Sequence, residues 1–237
     1  MFSLKRSHYL VLMCLLAGCA IPPPRHGPAE HRPDEPNPPV GAAVFRVDAQ
    51  QSEIRFLVYR AGALANLGHN HVIAFHPLRG WVVWAVPPAR SALRLEFPVE
   101  SALVDEPAMR REEGADFPGE IETDAKSSTL HNLLSEAMLD AAHYPLVVVG
   151  GSAVADGAGL AGDGPGQLFM PLRFTVAGHD STVNVPVTVE RRGARMTASG
   201  HFDVKQSELG LKPFSILLGA LQVQDQMRVK FRIVANR

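Results

Sequence analysis

Residues 222–234 read QVQDQMRVKFRIV, and their reading decides the fold class. Val223, Met227, Val229, Phe231 and Ile233 share one face of an extended chain, while Gln222, Gln224, Gln226, Arg228, Lys230 and Arg232 share the other. A period of two is the mark of a half-buried antiparallel strand, because successive side chains leave a pleated backbone on opposite sides. Asp225 is the one residue on the apolar face that breaks the pattern.

Working outward, the same alternation recurs in Ser52 to Tyr59 with Ile54, Phe56 and Val58 inward. It returns in Leu93 to Val99 through Leu93, Leu95, Phe97 and Val99, and in Val183 to Val189 through Val183, Val185, Val187 and Val189. Met196, Ala198, Gly200, Phe202 and Val204 continue it. Turn signals at Asp156-Gly157, Asp163-Gly164-Pro165-Gly166, Gly178-His179-Asp180 and Arg192-Gly193 separate these runs at meander spacing, which predicts a mainly β barrel or sandwich. One segment departs from it. Leu130, Leu133, Leu134, Ala137 and Met138 follow helical spacing before Pro145, predicting a helical insertion that either caps a barrel mouth or packs outside the sheet.

The N-terminus has a different character. Lys5 and Arg6 precede the apolar run Tyr9 to Leu16 and then Leu16-Ala17-Gly18-Cys19, the zones of a secretory signal in a stretch too short to span a bilayer. Small residues before a cysteine resemble a bacterial lipoprotein cleavage site. Residues 1–18 are thus expected to be a signal peptide and Cys19 a lipidation site. Residues 19–43 are expected to form a lipidated N-terminus and Pro-rich linker, whose stretch from Ala20 to Pro39 reaches roughly 60 Å when extended at about 3.1 Å per residue, and residues 44–237 one domain. Ala20 stands where an Asp would resemble an inner-membrane retention signal, so the expected location is the cell envelope, with outer-membrane sorting where two membranes exist. Cys14, the other cysteine, falls in the segment to be removed, which excludes a disulfide or Cys-based site from the domain. A net charge of −1 without a basic block argues against a nucleic-acid partner, and oligomeric state is not legible.

The ordered motifs resemble the YceI-like family, whose members are exported, lipocalin-like antiparallel barrels that bind polyisoprenoid lipids. Phe45, Val47, Asp48, Ser52, Ile54 and Phe56 match its entry strands; Met138 to Pro145 is similar to its helix end before Tyr-Pro. Leu172, Phe174, Val176 and Gly178 resemble its paired strands, and Ser199, Gly200, Phe202, Ser207, Leu209, Gly210 and Leu211 its closing strands. The resemblance implies a barrel that binds or carries a polyisoprenoid, quinone or similar amphiphilic lipid; the lipobox adds the expected membrane anchor, and the lack of a catalytic motif the expectation that it is not an enzyme. A closed barrel either fills its interior or encloses a ligand, and alternation does not report which. The candidate ligand-binding set is Ile54, Phe56, Val58, Leu95, Phe97, Val185, Val187, Phe202, Val229 and Phe231. With the interior filled, the barrel would instead be a structural envelope protein whose outer face serves a partner.

Gly68-His69-Asn70-His71 departs from the family pattern. On a strand His69 and His71 point to one side and can ligate a divalent metal, with His143 as third candidate and His76, His179 and His201 as poorer ones. A His-based metalloprotein, redox-active or hydrolytic, is therefore the alternative to lipid binding; the plainer reading gives these histidines structural hydrogen bonds. No nucleophile elbow, P-loop or dinucleotide fingerprint is present. The acidic residues Glu112, Glu113, Asp116, Glu120, Glu122 and Asp124 are expected to form a solvated loop.

Overall fold

The computed structural model describes residues 34–152 and 164–237. Cys19, everything before it and the Asp156-Gly157 turn signal lie outside them.

The chain opens with β1 (Ala43–Val47) and β2 (Glu53–Ala61), which form one bent stave. The bend explains part of the entry motif. Asp48 Oδ1 accepts the N–H groups of Gln50 (3.1 Å) and Gln51 (3.2 Å), and Ser52 is fully buried with its Oγ accepting the N–H of Val234 at 2.9 Å. Two more bent staves follow: β3 (His71–Phe75) with β4 (Arg79–Trp84), then β5 (Ala92–Pro98) with β6 (Ala102–Val104). β1 pairs with β4 and β2 with β3, while β4 pairs with β5 and β3 with β6. Gly80 lies where β4 presses on β5: at φ +148° a Cβ would sit 2.0 Å from the Arg94 carbonyl oxygen, so no larger residue fits.

Two helices come next, α1 (Pro107–Glu113) and α2 (Thr123–Leu134). The remaining staves are β7 (Leu146–Ser152), β8 (Gly164–Val176), β9 (His179–Arg192) and β10 (Arg195–Lys205), then the short β11 (Ser215–Ile216) and β12 (Leu221–Asn236). Pairing runs β5–β7–β8–β9–β10–β12, and β12 returns to both β2 and β1. With each bent pair counted once, the result is a closed antiparallel barrel of eight strands. The predicted alternatives resolve to the barrel. Ala177 (φ 45°) and Gly178 (φ 77°) make a two-residue turn between β8 and β9, the backbone that matches hairpin twist. A Cβ on Gly178 would also strike the Tyr144 ring at 2.7 Å, which ties the Gly turn to the Tyr-Pro motif.

The inward faces form one buried cluster inside the barrel, running from Phe45 and Ile54 through Phe97, Phe174 and Val185 to Ile233. A smaller cluster lies on the outside, where Met109 of α1 and the nearby Phe117 cover Leu57, Val72 and Ala74, the outward residues of β2 and β3.

Two expectations need correction. The acidic stretch is not one solvated loop: residues 107–113 are helical, and the Glu113 side chain is only 3 % exposed, accepting Lys230 Nζ at 2.7 Å and Arg55 at 3.2 Å. Two cations on the barrel wall hold it there. The helix expected through Met138 ends at Leu134, because Ser135 turns extended at ψ 161°. Ala137 is exposed, and Met138 reaches the interior from the following turn.

Candidate functional site

The barrel is hollow. Two chambers open inside it, with volumes of about 170 and 100 Å³. Ile54, Phe56, Val58, Phe97, Phe202 and Val229 line the larger chamber. Leu95, Val185, Val187 and Phe231 line the smaller, together with Ile54, Phe97 and Phe202, so every residue of the candidate ligand-binding set faces a cavity. Ile54, Phe97, Phe174 and Phe202 border both chambers and form a waist between them. Its rings are in contact: Phe174 and Phe202 stand 6.2 Å apart, and Phe97 packs on Phe75 at 4.8 Å. Apolar cavities near 150 Å³ stay dry and take up benzene-sized guests, so each chamber by itself suits a ring or a short branch. A longer chain must pass the waist.

The ends differ in chemistry. Apart from Ser91 the smaller chamber is lined by apolar residues. The larger is covered by α2 through Thr129, Asn132 and Leu133, which answers the expectation of a helical cap, and it also meets Gln206 and His71. Leu211, Phe214 and Val223 belong to its wall beside the β11–β12 turn, where Leu217 and Leu218 are exposed at φ 52° and 56°. Leu67 is exposed in the neighbouring 62–68 segment, which is joined to that turn by the Leu64 N–H to Ala220 carbonyl bond of 2.7 Å.

His71 is the first residue of β3, and its Nδ1 lies 2.6 Å from Oδ2 of Asp105, which follows the paired strand β6. Asp105 is buried; its Oδ1 accepts the Val72 N–H (2.9 Å) and an Arg110 guanidinium N–H (2.6 Å). Burial pushes the Asp105 carboxyl upward, but the bonds from His71, Val72 and Arg110 together with its electrostatic interaction with His71 outweigh it and hold the group below the ordinary carboxylate range. Arg110, 2 % exposed, also donates to the carbonyls of Asn70 (2.7 Å), Pro118 (3.0 Å) and Gly119 (3.1 Å). Asn70 closes the loop: its Oδ1 accepts the Arg60 N–H at 3.0 Å and its Nδ2 donates to the Asp116 carbonyl at 2.8 Å. The letters His-Asn-His were visible in sequence, whereas Asp105 and Arg110 carried no motif. Only the β3–β6 pairing brings them to His71.

The metal expectation is not met by this arrangement. His69 is exposed, with its ring 6.4 Å from that of His71. The His143 side chain is 73 % exposed and bonded to Asp140 at 2.8 Å; that carboxylate raises its pKa. His76 sits 3.4 Å from Glu53, while His179 and His201 are exposed. Among the described residues no three His, Cys, Asp or Glu side chains form a set that could hold a metal. The physical reason lies in the Asp105 bond, which takes one ring nitrogen of His71, and in chain geometry that leaves His143 on the surface.

A closed antiparallel barrel with an apolar, two-chambered interior defines a lipocalin-like class of protein. The chain belongs to the YceI-like family, whose domain profile matches residues 45–235. Among solved structures it is similar to BcnA of Burkholderia cenocepacia, at 20 % identity and TM-score 0.57, covering 80 % of this chain and 99 % of that one. It is also similar to a polyisoprenoid-binding domain from Saccharophagus degradans implicated in plant cell wall breakdown, at 14 % identity and TM-score 0.54, covering 81 % and 97 %. No curated protein matches it in sequence.

Proposed function

We propose that this protein is an envelope-anchored carrier that binds an isoprenoid or similar amphiphilic lipid, its tail in the smaller chamber and its polar head in the larger. The observation that carries this reading is the pair of apolar chambers meeting at an aromatic waist. Each buried methylene contributes about 0.8 kcal/mol, so a chain threaded through both chambers needs few polar contacts. The family's fold and the Saccharophagus domain support the ligand class. The exposed leucines beside the larger chamber give an apolar ligand a path in from a bilayer.

Lipidation at Cys19 is the second half of the proposal, and the lipobox pattern supports it. Asp34 and Glu35 of the linker rest on the barrel, through the Trp81 Nε1–H to Asp34 carbonyl bond (2.6 Å) and the Arg46–Glu35 pair. The span available between Cys19 and the domain is then about 45 Å at polyproline rise. A carrier so held works within reach of one membrane.

Native mass spectrometry of the full chain from its own envelope is expected to show co-purified lipid. Val187→Trp, filling the smaller chamber, should weaken that binding while the barrel's circular dichroism stays unchanged. A lipid-free wild type that also fails to take up apolar fluorescent probes would overturn the reading. For the anchor, metabolic labelling with palmitate should mark the wild type and not Cys19→Ser.

A further inference from the structure

The larger chamber is apolar except at His71, Thr129, Asn132 and Gln206. Thr129 Oγ1 donates to the Ala125 carbonyl at 3.0 Å, and Gln206 Nε2 to the Gln224 carbonyl at 2.8 Å. His71 is held in another way, by a carboxylate that is itself clamped by a buried guanidinium. Desolvating an ion pair is costly, and an apolar pair in its place is often neutral or stabilising, so Asp105 and Arg110 are poorly explained as wall material. What the pair does is orient an imidazole. An ionised carboxylate only accepts hydrogen bonds, so His71 Nδ1 must carry the proton shared with Asp105. In the neutral ring Nε2 then carries the lone pair, and among the described residues nothing donates to it.

We infer that His71 Nε2 is the head-group acceptor of the barrel, selecting among apolar-chain ligands those whose head carries a hydroxyl or another hydrogen-bond donor. The inference rests on the lipid-binding reading and names the head chemistry of its ligand. A head that offers only an ether or no polar atom leaves Nε2 buried beneath the ligand without a partner, which is the asymmetry that makes a lost hydrogen bond expensive. An oriented His of this kind is also what precedes metal ligation or proton abstraction, but among the described residues no metal-holding set stands with it, and the one hydroxyl lining the chamber, that of Thr129, is bonded to the Ala125 carbonyl.

The test measures binding of farnesol, farnesyl methyl ether and farnesyl phosphate to the delipidated full chain. Wild type should bind the alcohol about tenfold more tightly than the ether. His71→Phe should bind both alike, with its affinity for the ether retained. Equal affinity of wild type for alcohol and ether overturns the head-group role and leaves lipid binding standing. Failure of wild type to bind any of the three defeats the lipid reading itself. A tenfold preference of wild type for the phosphate over the alcohol overturns the acceptor assignment, because only a cationic ring would favour it. Should His71→Phe not fold, the ring tautomer of wild type decides by long-range ¹H–¹⁵N correlation: a proton on Nδ1 and a Nε2 resonance that moves with farnesol are expected. A proton on Nε2, or a resonance that farnesol does not move, sinks the inference.

Discussion

Asp105 accepts from a ring nitrogen, a backbone N–H and a guanidinium while fully buried, and its own N–H donates to the Val72 carbonyl at 2.8 Å. Removing the carboxylate leaves Arg110 charged and desolvated. Asp105→Ala should therefore cost about 3–5 kcal/mol in urea unfolding, the range for breaking one side of a buried pair. The pH dependence follows from the direction of the Asp105 shift. Because its folded pKa is lowered, its contribution is complete above the unfolded value of about 4 and is lost as pH falls through the folded value. Wild-type urea midpoints should consequently drop more steeply below about pH 4 than those of Asp105→Asn. The lowered Asp203 and Asp225, bonded to Arg228 and Ser207, are common to both proteins and cancel from the comparison. At this scale His71 was legible in the sequence and its partner was not, since 34 residues separate them.

At the scale of elements, β12 shows how far alternation carries. Its inward residues behave as read from Met227 to Ile233, but the pairing with β2 shifts between Val223 and Met227. Asp225, the exception in the pattern, sits in that bulge, accepting the Ser207 N–H (2.9 Å) and Oγ–H (2.6 Å). A bulge re-aims side chains locally, so a residue that looks misplaced in a strand is correctly placed in a bulge. The β11–β12 turn offers a test. Leu218 is fully exposed in the left-handed region at φ 56°, ψ 34°, which costs an L-residue about 1–2 kcal/mol. Glycine removes that cost and adds about 0.5–1 kcal/mol of unfolded-state entropy. Leu218→Gly should thus leave the melting temperature unchanged or raise it slightly in calorimetry, and a clear fall would show that the side chain packs. α2 stops short of the helical spacing that runs on through Ala137 and Met138, because Ser135 leaves helical geometry.

For the whole molecule, the waist sets what the barrel can hold. Phe202→Ala should merge the chambers, lower stability by about 3 kcal/mol as large-to-small changes in cores do, and shift binding preference toward longer isoprenoids in a chain-length series. A bound ligand at a hundred times its Kd should add about 2.7 kcal/mol of stability, so lipid-loaded protein is expected to melt above the delipidated form. The sequence by itself determined the strand faces, because a period of two is local, and the motif order placed the domain in its family. It also determined which residues face inward, since one inward residue on a strand implies its neighbours two positions away. Only the tertiary structure decided that the interior is hollow, because cavity volume depends on how eight strands close and not on any one of them. It alone decided the fate of the histidines as well. Strand pairing set His71 against Asp105 and Arg110, while His143 stayed on the surface, and contacts between distant segments leave no periodic trace in the chain that makes them.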